Sequence, residues 1–172
     1  INYSGINPSI IRNLNDSNDV ILTSIPNQAL LVHNKVGVQC SIPYQILNEP
    51  DLNYFDYYYP SDIDVCTKSN LIFTADPYLP YISAYSYSNE RISKLWDKMV
   101  FQPKYTIKKK WRYILDDSYL GFKCISVSNN YIYLTHYGIT RVQWDQEVQK
   151  KLDYIYLMIF DFDGKMVKHL IL

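Results

Sequence analysis

LGFKCISVSNNYIYLTHYGITRVQWDQEVQKKLDYIYLMIFDFDGKMVKHLIL, residues 120–172, is the stretch that decides the fold. Phe122, Cys124, Ile125 and Val127 lead through Asn129-Asn130 into Tyr131-Ile132-Tyr133-Leu134, so β-forming residues stand on both sides of a turn dipeptide. This reads as one hairpin. Tyr154 to Phe160 then runs apolar and aromatic into Asp163-Gly164, with Met166, Val167, Leu170 and Ile171 beyond. Asp-Gly supplies a positive-φ turn between paired strands, because glycine carries no Cβ to clash there. Two hairpins in series predict a four-stranded meander. Between its second and third strands, Tyr137 to Asp153 is extra chain, and VQWDQEVQKKLD within it has the spacing of a short amphipathic helix.

A similar unit lies upstream. DIDVCT (residues 62–67) alternates with period two, Lys68-Ser69-Asn70 turns, and LIFTA (71–75) is the partner strand, broken by Asp76-Pro77. PYISAYSY (80–87), the turn at Ser88-Asn89-Glu90 and RISKLW (91–96) complete it. Laid over the later unit, Ile63 and Val65 fall on Ile125 and Val127, and Leu71-Ile72-Phe73 falls on Tyr131-Ile132-Tyr133. Tyr85 to Ile92 falls without gaps on Phe160 to Val167. A third, looser unit spans residues 9–42: SIIRNL, a turn at NDSN, DVILTS, a turn at Pro26-Asn27, QALLVH, and Val36 to Ile42 after Asn34-Lys35. Pro43 to Pro60 reads as an irregular crossing, and Asp97 to Tyr119 as an extended connector or an additional strand. The fold class expected is all-β: antiparallel four-stranded blades of a β-propeller type at about 9–42, 62–96 and 122–171, one domain. Propellers close with roughly four to eight blades, so three predict a partial or half propeller. Its open ends then call for missing blades or a homo-oligomer, since an unclosed stack leaves edges free to pair.

Bulk composition agrees with this and excludes much else. The 172 residues include 18 Tyr and only 5 Gly, a balance that favours pleated, half-buried positions over a helix bundle. A chain of this size buries about 70% of the surface its unfolded form exposes, enough for a core. Seventeen Lys and Arg balance seventeen Asp and Glu, so no net field steers the chain to nucleic acid or to an anionic membrane. No apolar run reaches the roughly 18 residues of a membrane helix. Cys40, Cys66 and Cys124 are odd in number and far apart, which predicts buried free thiols and no CxxC site. The first residue is Ile1 rather than Met, which leads to the expectation of a processed or trimmed product.

The run Asn130-Tyr131-Ile132-Tyr133-Leu134, with Tyr137-Gly138, Ile155-Tyr156 and Ile159-Phe160-Asp161-Phe162-Asp163-Gly164-Lys165-Met166-Val167-Lys168, resembles the TolB-like six-bladed β-propeller family of extracytoplasmic proteins from gut anaerobes. The resemblance is best over residues 121–172; family members usually carry Trp where this chain has Phe162, and are about twice as long. It implies a six-bladed fold and a periplasmic or cell-surface location, and it carries no catalytic residues to transfer.

Candidate chemistry is sparse. Asp161 and Asp163 with Gly164 lack the further oxygen ligands of a calcium loop and read as turn residues. His33, His136 and His169 have no HExxH or Cys partner nearby, so no metal ligand is assigned and no cofactor is expected. Lys108-Lys109-Lys110-Trp111-Arg112 interleaves charge with an aromatic but sits in a neutral chain beside acidic residues, and reads as a solvated strand rather than a nucleic-acid contact. There is no GxSxG and no Gly-rich phosphate loop, so no catalytic residue is named. What remains is aromatic: Tyr54, Tyr57, Tyr58 and Tyr59 around Asp56, and Trp144 in the insertion of the last unit. Such rings stack on sugars or anchor a protein, and long loops on repeat scaffolds form binding faces. The expected function is a non-enzymatic cell-envelope binding or assembly module whose ligand is a glycan or a protein. The alternatives are a propeller hydrolase or lactonase with Asp62, Asp64 and Asp76 converging on a metal in a central channel, and a purely structural partner subunit.

Overall fold

The structure, a computed structural model, describes residues 8–23, 30–34, 36–42, 53–54, 62–108, 111–147 and 155–172. It is all-β, with one short helix among the described residues. Three four-stranded antiparallel meanders follow one another along the chain. The first contains β1 (Pro8–Asn15), β2 (Asn18–Thr23), β3 (Leu30–Asn34) and β4 (Val38–Ile42). After the two-residue β5 (Asn53–Tyr54) comes the second, with β6 (Asp62–Cys66), β7 (Leu71–Ala75), β8 (Tyr81–Ser88) and β9 (Arg91–Met99). β10 (Tyr105–Lys108) and β11 (Trp111–Ile114) form a hairpin, and β11 pairs in parallel with β5. The third meander consists of β12 (Cys124–Val127), β13 (Ile132–His136), β14 (Tyr156–Phe160) and β15 (Met166–Ile171), with α1 (Arg141–Glu147) inserted between β13 and β14. Each meander is an open sheet; none closes on itself.

Turn chemistry sets the registers. Asn89 and Glu90 both take positive φ between β8 and β9, the requirement of the two-residue turn that matches strand twist. Between β14 and β15, Gly164 has φ +77°, and the Asp161 carboxylate accepts the amides of Asp163 and Lys165 at 3.1 and 2.8 Å. Asp161 and its Asp-Gly neighbours therefore act as turn residues, as the sequence suggests.

The three sheets stack in chain order, and the repeat is visible in which face each residue serves. Ile63, Ile72 and Tyr85 of the second sheet pack back onto Leu14, Val20, Leu22, Leu30 and Val32 of the first. Ile125, Ile132 and Phe160, the residues that overlie them in sequence, pack back in the same way onto Phe73, Ala75, Ile82 and Ala84 of the second. The second sheet is thus covered on both faces, which is why LIFTA and YISAY read as near-continuous apolar runs instead of alternating ones. In the third sheet alternation returns: Ile132, Leu134, Met158 and Phe160 are buried, while Tyr133, Thr135, Leu157 and Ile159 on the other face are only half-buried.

The first strands of the sheets lie side by side, β1 against β6 and β6 against β12. The contact is polar. β12 is the edge of its sheet, and its outward amides on Ile125 and Val127 are accepted by the carboxylates of Asp62 at 3.0 Å and Asp64 at 2.7 Å. From the other side Arg12 of β1 reaches both acids, at 3.4 Å to Asp62 and 3.7 Å to Asp64. Two acids on one strand thereby tie three strands together and satisfy an edge that would otherwise be open to pairing.

Some details differ from the sequence reading. β9 continues to Met99, so the second unit ends three residues later than the alternation in RISKLW suggests. The stretch read as an extended connector or an additional strand is in part this strand and in part the β10–β11 hairpin, which includes Lys108, Trp111 and Arg112 of the basic run; Lys109 and Lys110 lie outside the described residues. The helix spans Arg141–Glu147, starting earlier than VQWDQEVQKKLD suggests; residues 148–154 lie outside the described residues. Of the three free thiols only Cys66 is buried; Cys40 is half-buried and Cys124 is exposed, its Sγ 2.9 Å from the Thr135 hydroxyl. Cys124 takes the place on β12 that Asp62 has on β6, and among the described residues no further sheet covers it.

Candidate functional site

The insertion of the third sheet builds a cleft. After β13, Thr140 caps α1 reciprocally with Gln143: the Gln143 amide donates to the Thr140 hydroxyl at 3.3 Å, and the Gln143 side-chain oxygen accepts the Thr140 amide at 2.9 Å. This is the Thr-x-x-Gln capping box, and it fixes where the helix begins. The Val142 amide donates to Asp116 O at 3.0 Å and the Leu120 amide to Ile139 O at 3.0 Å, so the helix start is held against residues 116–120. One turn in, Trp144 places its ring 4.9 Å from that of Tyr137, tilted by 35°.

The opposite wall comes from the second sheet. Asp76, fully buried, accepts the amides of Tyr78 and Leu79 at 2.8 Å each, folding the β7–β8 loop into a tight turn. The backbone oxygens of Asp76 and Pro77 then accept Phe122 and Gly121 at 2.8 and 2.9 Å. A side chain at Gly121 would run into the backbone oxygens of Asp76 and Leu79, so only glycine permits this approach. Between the walls is a cavity of about 490 Å³ lined by Pro77, Tyr78, Gly121, Phe122, Tyr137 and Trp144, with Lys123 and Arg141 also bordering it. Its size falls in the range of small-ligand sites. The Lys123 ammonium stands 5.1 Å from the centre of the Tyr137 ring, and hydrogen bonding to the Tyr137 hydroxyl raises the lysine pKa, so it stays charged. Arg141 is largely exposed, its Nε 3.9 Å from Asp116.

Beside the cleft an aromatic stack centres on His136 at the end of β13. Its ring lies 5.0 Å from Tyr156, 5.5 Å from Phe101 and 5.8 Å from His169. Nδ1 accepts the Gly138 amide at 3.1 Å, which fixes the proton on Nε2, and Nε2 is buried with no hydrogen-bond partner among the described residues. Burial first, and then the neighbouring His169, push the His136 pKa down to about 4.

The structure treats the sequence candidates unequally. Trp144 is in the cleft. Tyr54 lies on β5, where its backbone pairs with Arg112 in register, and its side chain is outside the described residues, as are Tyr57, Tyr58 and Tyr59. Asp62 and Asp64 bind Arg12 and the β12 amides, and Asp76 is closed into its own turn. These three carboxylates are thus engaged in joining and shaping strands. Among the described residues no three His, Cys, Asp or Glu side chains are grouped closely enough to hold a metal ion. The sequence reading missed Tyr137, Lys123, Arg141 and Tyr78; the one signal available was Tyr137, seven residues ahead of Trp144 at the start of the insertion. No family model matches the chain, and no curated protein or solved structure is significantly similar to it.

Proposed function

We propose that this chain is a non-enzymatic binding module of β-propeller type whose ligand is a glycan, held against the paired rings of Tyr137 and Trp144. The observation that carries this is the cleft itself: two tilted aromatic rings on an insertion, facing a loop of the neighbouring sheet across a cavity of ligand size. Aromatic faces pack on the apolar face of a sugar ring at little entropic cost, and tyrosine and tryptophan add polar tips for its hydroxyls. The propeller reading is supported by three like meanders whose first strands adjoin. On it, a further sheet of the same kind, from a longer chain or a second copy, covers the half-buried face formed by Tyr133, Leu157 and Ile159. On the TolB-like resemblance we assign the protein to the periplasm or cell surface.

A glycan array with the purified chain, followed by calorimetry on the strongest hits, tests this. Trp144→Ala is expected to weaken binding by about 2 kcal/mol, roughly thirtyfold, the effect of removing a central aromatic anchor. Its fold, followed by circular dichroism, stays intact, because the ring is only half-buried. An array with no hits, or an alanine variant that binds like wild type, would overturn the reading.

A further inference from the structure

We propose that the sugar bound in this cleft is anionic, its carboxylate or sulfate group held by Lys123 and Arg141. This rests on the glycan reading above and goes beyond it by naming the ligand's charge. The chain as a whole is neutral, so a local excess of positive charge is not a by-product of composition. Yet both charged side chains bordering the cleft are cations. Among the described acids close to them in sequence or along the cleft, Asp117 is already paired with Lys104 at 2.7 Å. Asp76 is buried with one carboxylate oxygen on the amides of Tyr78 and Leu79, and Asp116 meets Arg141 only at 3.9 Å, with 72% of its own side chain exposed. A pair that long and that wet contributes little and yields readily to a better acceptor.

Lys123 is also positioned: it is held over the ring of Tyr137, so less of its freedom is lost when an anion arrives. An ammonium beside an aromatic platform and a guanidinium bordering the same cleft match a sugar that stacks by its ring and projects an acidic group from its edge. Hydrogen bonds between ions are about twice as strong as neutral ones, so the charged group dominates selectivity between otherwise identical sugars.

The experiment is calorimetry on the full chain with a hexuronate tetrasaccharide, its carboxyl-reduced twin, a sulfated tetrasaccharide and a poly-glutamate peptide. The uronate or the sulfated sugar is expected to bind at least about tenfold more tightly than the reduced twin at low salt, with the gap closing as ionic strength rises. Which of the two wins identifies the anion. The double variant Lys123→Gln, Arg141→Gln is expected to bind acidic and reduced sugars alike, at the level of wild type with the reduced twin, and to keep the wild-type circular dichroism. Equal binding of uronate, sulfated sugar and reduced twin by wild type overturns the charge assignment and leaves the glycan reading standing. Binding of no sugar overturns both, and binding of poly-glutamate alone replaces them with an acidic peptide ligand.

Discussion

Replacing Asp62 and Asp64 together by alanine is expected to lower the unfolding free energy by about 3–5 kcal/mol, which for a domain of this size is a large share of the whole. Each carboxylate accepts an amide from the edge of β12, at 3.0 and 2.7 Å, and together they face Arg12. Hydrogen bonds to a charged group contribute about 1.5–3 kcal/mol each, and the loss also leaves two strand amides without partners and the Arg12 guanidinium without its ion pairs. The two sites share Arg12, so the loss in the double variant differs from the sum of the singles. Asp62→Asn with Asp64→Asn keeps acceptor oxygens in place and is expected to lose roughly half as much. Urea denaturation measures all of these; a loss under about 1 kcal/mol in the double alanine variant would show that the sheets are held by their apolar faces alone.

Acid is expected to destabilise the protein through His136. Its folded-state pKa, about 4, is below the ordinary value of 6.5, so between those pH values the unfolded chain takes a proton that the folded chain refuses. The contribution is fully present above pH 6.5 and is lost as pH falls towards about 4. It amounts to about 3 kcal/mol across the whole window. Protonation would put charge on a ring enclosed by Phe101, Phe122 and Tyr156 and beside His169, and would end the acceptance of the Gly138 amide at Nδ1. In His136→Asn the side-chain oxygen replaces that acceptor and nothing titrates. Stability at pH 7.5 minus stability at pH 5 is expected to shrink in the variant by about 2 kcal/mol, the part of this contribution that falls between those pH values. An unchanged difference would assign the acid sensitivity to other groups.

Much of the fold was legible because local and tertiary demands coincide. Ile63 and Ile125, or Tyr85 and Phe160, sit at like positions of like strands, and the turn residues between them permit only one register. The contacts between sheets were not legible, because period-two alternation says which side of a strand a residue takes and nothing about what lies across its edge. Asp62 and Asp64 therefore looked like candidate metal ligands, whereas they serve β12 and Arg12. The packing of Trp96 was hidden for the same reason: its indole donates to Phe162 O at 2.7 Å and lies against Gly164, two residues of the β14–β15 turn. The cleft was half legible. Trp144 stood out as an aromatic in a long insertion, but Tyr78, Lys123 and Tyr137 come from three segments that only the stacking of the second and third sheets unites.

Amide hydrogen exchange at Ile125 and Val127 in the wild-type protein tests most directly that the first strands of successive sheets are joined through Asp62 and Asp64. Both amides point away from their own sheet, so only the neighbouring strand can shield them. The predicted result is protection comparable to that of Ile132 and Leu134 in the sheet interior. Rapid exchange at Ile125 and Val127, with Ile132 and Leu134 still protected, would contradict it.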